Sequence, residues 1–142
     1  MKKNQEMLSS LLKTVQIGQV ELRSLLDTTL SSSLRNTLES QLKEYDSIET
    51  EAYTIALQRG WELRELDPGT RFLRDRFTRM KLNGRNTDSR IADMLIQRNT
   101  RDMIQGFRSR RQLDQPDRPI QTLSQKLLDC ETANIRQMQG YL

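Results

Sequence analysis

The chain of 142 residues contains no histidine and only one cysteine, Cys130. Histidine is the usual general base and the commonest metal ligand in proteins, and it also activates serine and cysteine nucleophiles. Its absence removes the side chain on which many hydrolytic and metal-dependent sites are built. One cysteine cannot form an intramolecular disulfide, so we expect a reducing, cytoplasmic location.

Helix breakers and long apolar runs are also scarce. The sequence has only three prolines and six glycines, and no apolar run approaches the 18 residues that a transmembrane helix needs. The basic N-terminus is not followed by the apolar run of a signal peptide. Hydrophobic residues are 35% and charged residues 30% of the chain, a balance that suits helices with much of their surface in water. These features predict one all-α domain over residues 1–142, with no transmembrane segment.

Apolar residues that recur at steps of three and four predict four long amphipathic helices. Hydroxyl-bearing residues between the first two suit a tight turn, so these two should form an antiparallel hairpin. Gly60 stands where a left-handed residue would end the second helix, and Asp88 is the expected N-cap of the third. The predicted ranges are about 4–27, 33–59, 88–111 and 119–140.

A connection of residues 61–87 joins the second and third long helices. Asp67 and Pro68 are placed as N-cap and first position of a short helix over about 68–82, and Asn83-Gly84 should stop it. A helix of about 25 residues is ~37 Å long, and this connection can run back along that length. The expected fold is a four-helix bundle with a long, partly helical crossover, which is the ferritin-like topology.

The apolar side of the crossover helix carries Phe72, Leu73, Phe77 and Met80, and its two aromatic residues and its methionine are Phe72, Phe77 and Met80. We expect them to pack against the side of the bundle. Because arginines surround them, they could instead form a patch for a homodimer, a protein partner or a membrane surface.

Two segments resemble the ferritin-like superfamily and, more narrowly, small bacterial bundle proteins of that fold. They are Ile91–Gln97, which opens the third long helix, and Glu131–Ile135, late in the fourth. The metal-binding members carry one Glu on each of two helices and Glu-x-x-His on each of the other two. Here Glu131 is followed at the histidine position by Asn134, and Glu49 by Ala52. The resemblance therefore implies the fold without the di-metal ligands, and we expect no metal and no cofactor.

Polar residues fall on the apolar stripes of all four long helices. One interpretation is a hydrogen-bonded polar layer that fixes helix register, since an unpaired buried polar group costs ~1–3 kcal/mol. An altered metal site and a site for a small polar ligand are the alternatives. The residues are Gln19, Glu49, Asn99, Glu131 and Asn134.

The basic residues are concentrated in the middle of the chain. Residues 71–111 contain 12 Lys and Arg against 4 Asp and Glu, within a net charge of +4 for the whole chain. They could form solvated faces, bind nucleic acid or another polyanion, or contact a protein partner or the acidic first hairpin. No nucleic-acid-binding motif accompanies them. Those on or beside the crossover helix are Arg71, Arg74, Arg76, Arg79, Lys81, Arg85 and Arg90, and those on the third long helix are Arg98, Arg101, Arg108, Arg110 and Arg111.

The sequence thus favours a non-catalytic bundle that acts through interactions. The alternatives are a nucleic-acid or polyanion binder that uses the arginine-rich 71–111 region, and a divergent metal-binding bundle.

Overall fold

A computed structural model describes residues 3–82 and 87–142. Over these residues the chain forms five helices, and the prediction of an all-α protein is confirmed. Every boundary lies within one residue of its expected position, whereas Asn83-Gly84 and Arg85 lie outside the described residues. The helices are α1 (Asn4–Leu26), α2 (Ser32–Arg59), α3 (Pro68–Leu82), α4 (Asp88–Arg111) and α5 (Arg118–Gln139).

Side-chain hydrogen bonds cap the starts of α2, α3, α4 and α5. The Asp67 carboxylate accepts from the backbone N–H of Thr70 at 2.8 Å and so caps α3, as the Asp-Pro sequence predicts. Gly60 ends α2 with a φ of 67°, the left-handed conformation that glycine adopts without steric cost. The expectation that Asp88 caps α4 is wrong, because Thr87 is the N-cap. Asp88 is instead the first residue of the helix, where the helix dipole stabilises a carboxylate.

Contacts between helix ends show how the four long helices run. Ser31, just before α2, donates to Asp88 at the start of α4 at 2.9 Å. At the opposite end of the bundle Arg59, the last residue of α2, pairs with Asp117, just before α5. The helices α2 and α4 therefore run in the same direction, and α5 runs against both. The helix α1 packs along α2, as α4 does along α5.

The connection between α2 and α4 follows α1 from its first turn to its last. Near the start of α1, Gln5 donates to the carbonyl of Glu62 at 3.1 Å. Near its end, Ser24 donates to the carboxylate of Asp75 in α3. Residues 62–82 thus lie alongside α1 and point in its direction, which carries the chain back to the end where α4 begins.

The core lies between the four long helices. Each contributes large apolar side chains that are almost completely removed from water, and this burial is the main favourable contribution to folding. The largest of them include Leu8, Leu12, Leu22, Leu25, Leu34, Leu38, Ile48, Ile91, Leu95, Ile120 and Met138.

The helix α3 turns its polar side toward α1. Thr78 is 5% exposed, and the Asp75 carboxylate accepts from Ser24. Arg79 donates to the Asp27 carboxylate at 3.0 Å. The flank of α1 that α3 covers therefore offers hydrogen-bond partners, and polar side chains of α3 occupy it.

The opposite side of α3 is apolar and faces solvent. Phe72 is 62% exposed, Leu73 68%, Phe77 53% and Met80 74%. The expected packing of Phe72, Phe77 and Met80 against the bundle is therefore wrong. The physical reason is that the polar flank of α1 binds the polar side of the helix, and the apolar residues lie on the other side. These four residues are called the outer face of α3 below.

This orientation predicts a contrast within one helix. Replacing Phe77 by Ser should change the free energy of unfolding by no more than ~0.5 kcal/mol, as for other exposed positions. Replacing the buried Leu82 by Ala should cost ~2–5 kcal/mol. Urea denaturation of both variants measures the contrast. A loss above 2 kcal/mol for Phe77→Ser would mean that the ring packs in the core.

Candidate functional site

A buried arginine lies between α1, α2 and α4. Arg98 is 4% exposed and forms ion pairs with Glu21 at 2.5 Å and with Asp102, one turn along α4, at 2.7 Å. Its guanidinium also contacts the hydroxyl of Tyr45 at 3.3 Å. Partners on three helices satisfy the buried charge, which would otherwise be very costly.

Gly18 makes room for this cluster. A Cβ atom at position 18 would lie 3.1 Å from the ring of Tyr45 and 3.2 Å from a guanidinium nitrogen of Arg98. Glycine within a helix costs ~0.5–1 kcal/mol relative to alanine. The close approach of Tyr45 and Arg98 to the backbone of α1 accounts for its presence in the middle of a 23-residue helix.

Burial shifts the pKa values of two members of the cluster upward. Burial raises the pKa of Tyr45 well above its ordinary value, although Arg98 opposes the rise. Burial also raises the pKa of Asp102, against the lowering effect of Arg98. A phenol of this kind does not give up its proton near neutral pH, so the arrangement suits a structural anchor.

Two members of the predicted polar layer bond to residues outside it. Gln19 is buried and donates to Asp46 at 2.8 Å. Glu49 is half-buried and accepts from Gln16 at 3.2 Å. Both contacts join α1 to α2, and neither reaches α4 or α5.

The other three members lie in the core, but none of them is hydrogen-bonded to another. Asn99 accepts from Tyr45 at 3.2 Å and donates to the backbone carbonyl of Leu95 at 2.8 Å. Asn134 contacts Cys130 Sγ at 3.8 Å. The expected network of Asn99, Glu131 and Asn134 is therefore wrong, because helix geometry places each amide beside a nearer partner.

Glu131 is 1% exposed, and neither of its carboxylate oxygens has a hydrogen-bond partner. It lines a cavity of about 30 Å³ together with Asp102, Ser10 and Ser124, which is enough for a water molecule but not for an organic substrate. Burial raises the pKa of Glu131 to about 8; Asp102 adds to the rise and Arg98 opposes it. The group is therefore protonated at neutral pH, which removes the cost of burying a charge.

Ligands for a metal ion do not converge in the part of the chain that the structure describes. Over residues 3–82 and 87–142, no three Cys, Asp or Glu side chains form a group that could hold a metal ion. Position 134 offers an amide that contacts Cys130, and position 52 offers only the methyl group of Ala52. The residues that are present do not fit a di-metal centre.

The arginine-rich region divides into bound and unbound members. Arg98 is buried and pairs with Glu21 of the first hairpin, which is one of the alternatives that the sequence leaves open for these residues. Arg79 bonds to Asp75 and Asp27. Arg71 and Arg90 each donate to a backbone carbonyl, and Arg110 donates to a glutamine. The exposed arginines of this region whose side chains form neither an ion pair nor a hydrogen bond among the described residues are Arg74, Arg76, Arg101, Arg108 and Arg111.

The apolar outer face of α3 and its basic residues are in direct contact. The guanidinium of Arg76 lies 5.8 Å from the centre of the Phe72 ring, and the Lys81 ammonium lies 4.6 Å from that of Phe77. Both distances permit a cation–π interaction. The outer face thus combines exposed apolar groups with positive charges held beside them.

The chain matches no protein-family model, no curated protein and no solved structure. None of the helices in the described residues is long and apolar enough to cross a membrane.

The raised pKa of Glu131 predicts a specific pH dependence. Between its ordinary value of 4.5 and about 8, the folded protein holds a proton that the unfolded chain has released, so stability falls as pH rises through this range. Replacing Glu131 by Gln should remove roughly 2–5 kcal/mol of this fall. Urea denaturation across the range measures it, with the exposed Glu39→Gln as the control. Equal slopes in wild type and Glu131→Gln would contradict the assignment.

The buried ion pairs predict a large loss of stability when Arg98 is replaced and very little when the nearby Arg101 is replaced. Replacing Arg98 by Met leaves Glu21 and Asp102 without their partner and should cost ~3–5 kcal/mol. The exposed Arg101→Met should change the free energy of unfolding by no more than ~0.5 kcal/mol. Thermal and urea unfolding of both variants give the comparison. Similar stabilities for the two would show that Arg98 is not an anchor.

Proposed function

We propose that this protein is a non-catalytic binding module that acts through the outer face of α3. The main support for this proposal is the orientation of α3. Its apolar side faces solvent, and its polar side is hydrogen-bonded to α1. A cluster of exposed aromatic and aliphatic side chains is the usual mark of an interaction surface on a folded protein. Burying it against a partner would contribute ~25 cal/mol per Å² of apolar surface.

The outer face is preformed. Ser24 in the last turn of α1 and Asp27 just after it bond to Asp75 and Arg79 on α3. The helix therefore presents its apolar side to solvent before any partner binds. A surface that is already in its bound orientation loses less conformational freedom on association.

The core supports binding rather than catalysis. Tyr45, Arg98 and Asn99 are hydrogen-bonded within the core, Glu131 is buried without a partner, and the cavity beside Glu131 is too small for an organic substrate. Histidine is absent from the chain, so a conventional nucleophile and base pair is lacking.

We further propose that the fold is ferritin-like and that the protein is located in the cytoplasm of a bacterium. The parallel course of α2 and α4 and the crossover along α1 support the topology. The unpaired, buried Cys130 supports the compartment. Because Asn134 and Ala52 replace the required ligands, the proposal includes no metal chemistry.

Binding of a polyanion is a second candidate. It is favoured by Arg74 and Arg76, which are exposed on α3 and form no ion pair among the described residues. Phosphate groups would be natural partners for them, and such binding weakens steeply as salt concentration rises.

Photo-crosslinking tests the proposed surface without assuming the partner. A photoreactive amino acid at Leu73 in the native cell should give discrete adducts, with protein or lipid, that disappear when Phe77→Glu is added. The control is the same amino acid at Leu57, an 83%-exposed leucine on α2. Adducts that are absent at position 73, or equal at both positions, would refute the proposed function.

A further inference from the structure

We infer that the partner of the outer face of α3 is the headgroup region of an anionic lipid bilayer. This inference rests on the proposed function, since it names the chemistry of the partner for the same surface.

The charge of α3 is complementary to such a membrane. Residues 68–82 contain five basic residues and one acid. The acid, Asp75, accepts from Ser24 on α1 and is half-buried, so it is turned away from the outer face. A surface that contacts the outer face therefore meets Arg74, Arg76 and Lys81, and it meets no acid of α3 itself. Anionic lipids attract such clusters, with about 1 kcal/mol for each basic residue near the surface.

The apolar side chains of α3 also suit a bilayer interface. An interfacial helix lies in the plane of the membrane with its apolar side a few ångströms below the headgroups. Phe72, Leu73, Phe77 and Met80 all protrude from one side of a 15-residue helix that lies flat along α1. Arginine and lysine at its edges can keep their charges among the headgroups while their stems contact acyl chains.

A second copy of the chain is a poorer match. Pairing two outer faces would bring Arg74, Arg76 and Lys81 of one copy against the same residues of the other. Like charges in an apolar interface are destabilising, and no acidic group on this face neutralises them.

A nucleic acid is also a poorer match. Phosphates would satisfy the arginines, but Leu73 and Met80 would gain nothing from a phosphate backbone. Base stacking would require free aromatic faces, whereas Arg76 and Lys81 already lie over the rings of Phe72 and Phe77.

Vesicle co-sedimentation tests the inference with the full chain. At low salt the protein should bind vesicles of equal parts phosphatidylcholine and phosphatidylglycerol at least ~10-fold more tightly than pure phosphatidylcholine vesicles. The variant Phe77→Trp should bind equally and show a blue shift beyond that of wild type on binding, as its indole enters the interface.

Two pairs of substitutions separate the charged and apolar contributions. Arg74→Gln with Arg76→Gln should lower the partition coefficient roughly 10- to 30-fold, and Leu73→Ser with Phe77→Ser should lower it by a similar factor. The matched controls, Arg118→Gln with Arg136→Gln and Leu57→Ser, should bind as wild type does. Circular dichroism of every variant establishes that the fold is retained.

The possible failures are distinguishable. No binding to anionic vesicles, together with discrete protein adducts at position 73, would overturn the lipid inference and leave the proposed function standing. Binding of duplex DNA or RNA that the Leu73 and Phe77 changes leave intact, without vesicle binding, would also overturn it. Absence of both vesicle binding and position-73 adducts would reject the proposed function as well.

Discussion

The polar flank of α1 is the constraint on which the rest of the structure depends. Along it, Gln16 accepts from the backbone N–H of Leu66, and Ser24 and Asp27 hold side chains of α3. The hydrogen bond from Ser24 lowers the pKa of Asp75, and the same carboxylate accepts from Arg79. These bonds determine the path of the crossover and point the apolar side of α3 away from the bundle.

The Arg98 cluster fixes the long helices in a different way. Its charges are satisfied by residues of α1, α2 and α4, so any shift of one helix would strand a buried ion. Gly18 permits this arrangement by leaving space on α1. Glu131 lies nearby without a bonded partner and is accommodated as a neutral acid. The polar groups at the centre of the core are thus accommodated either by pairing, as in the Arg98 cluster, or by protonation, as at Glu131.

Periodicity and capping residues predict the helices well, because they depend on local spacing. They predict which residues share a side of α3 but not which way that side points, since the polar flank of α1 is a tertiary feature. The same limit applies to Arg98, because its sequence position does not show which of the basic residues is buried against the acidic first hairpin. Its position one residue before Asn99 and four before Asp102 was the available signal. The apolar periodicity of α5 predicts that Glu131 is buried. Its lack of hydrogen-bond partners depends on how far the neighbouring amide side chains extend, which periodicity does not show.

Thiol labelling tests the central claim that the outer face of α3 is exposed in the folded protein. In a Cys130→Ser background, a cysteine at position 73 should react with a maleimide within about tenfold of its rate in the unfolded chain. A cysteine at position 82 should react at least ~100-fold more slowly than in the unfolded chain, because the buried thiol can react only when the structure opens locally. Equal rates at positions 73 and 82, or protection at position 73, would contradict the account.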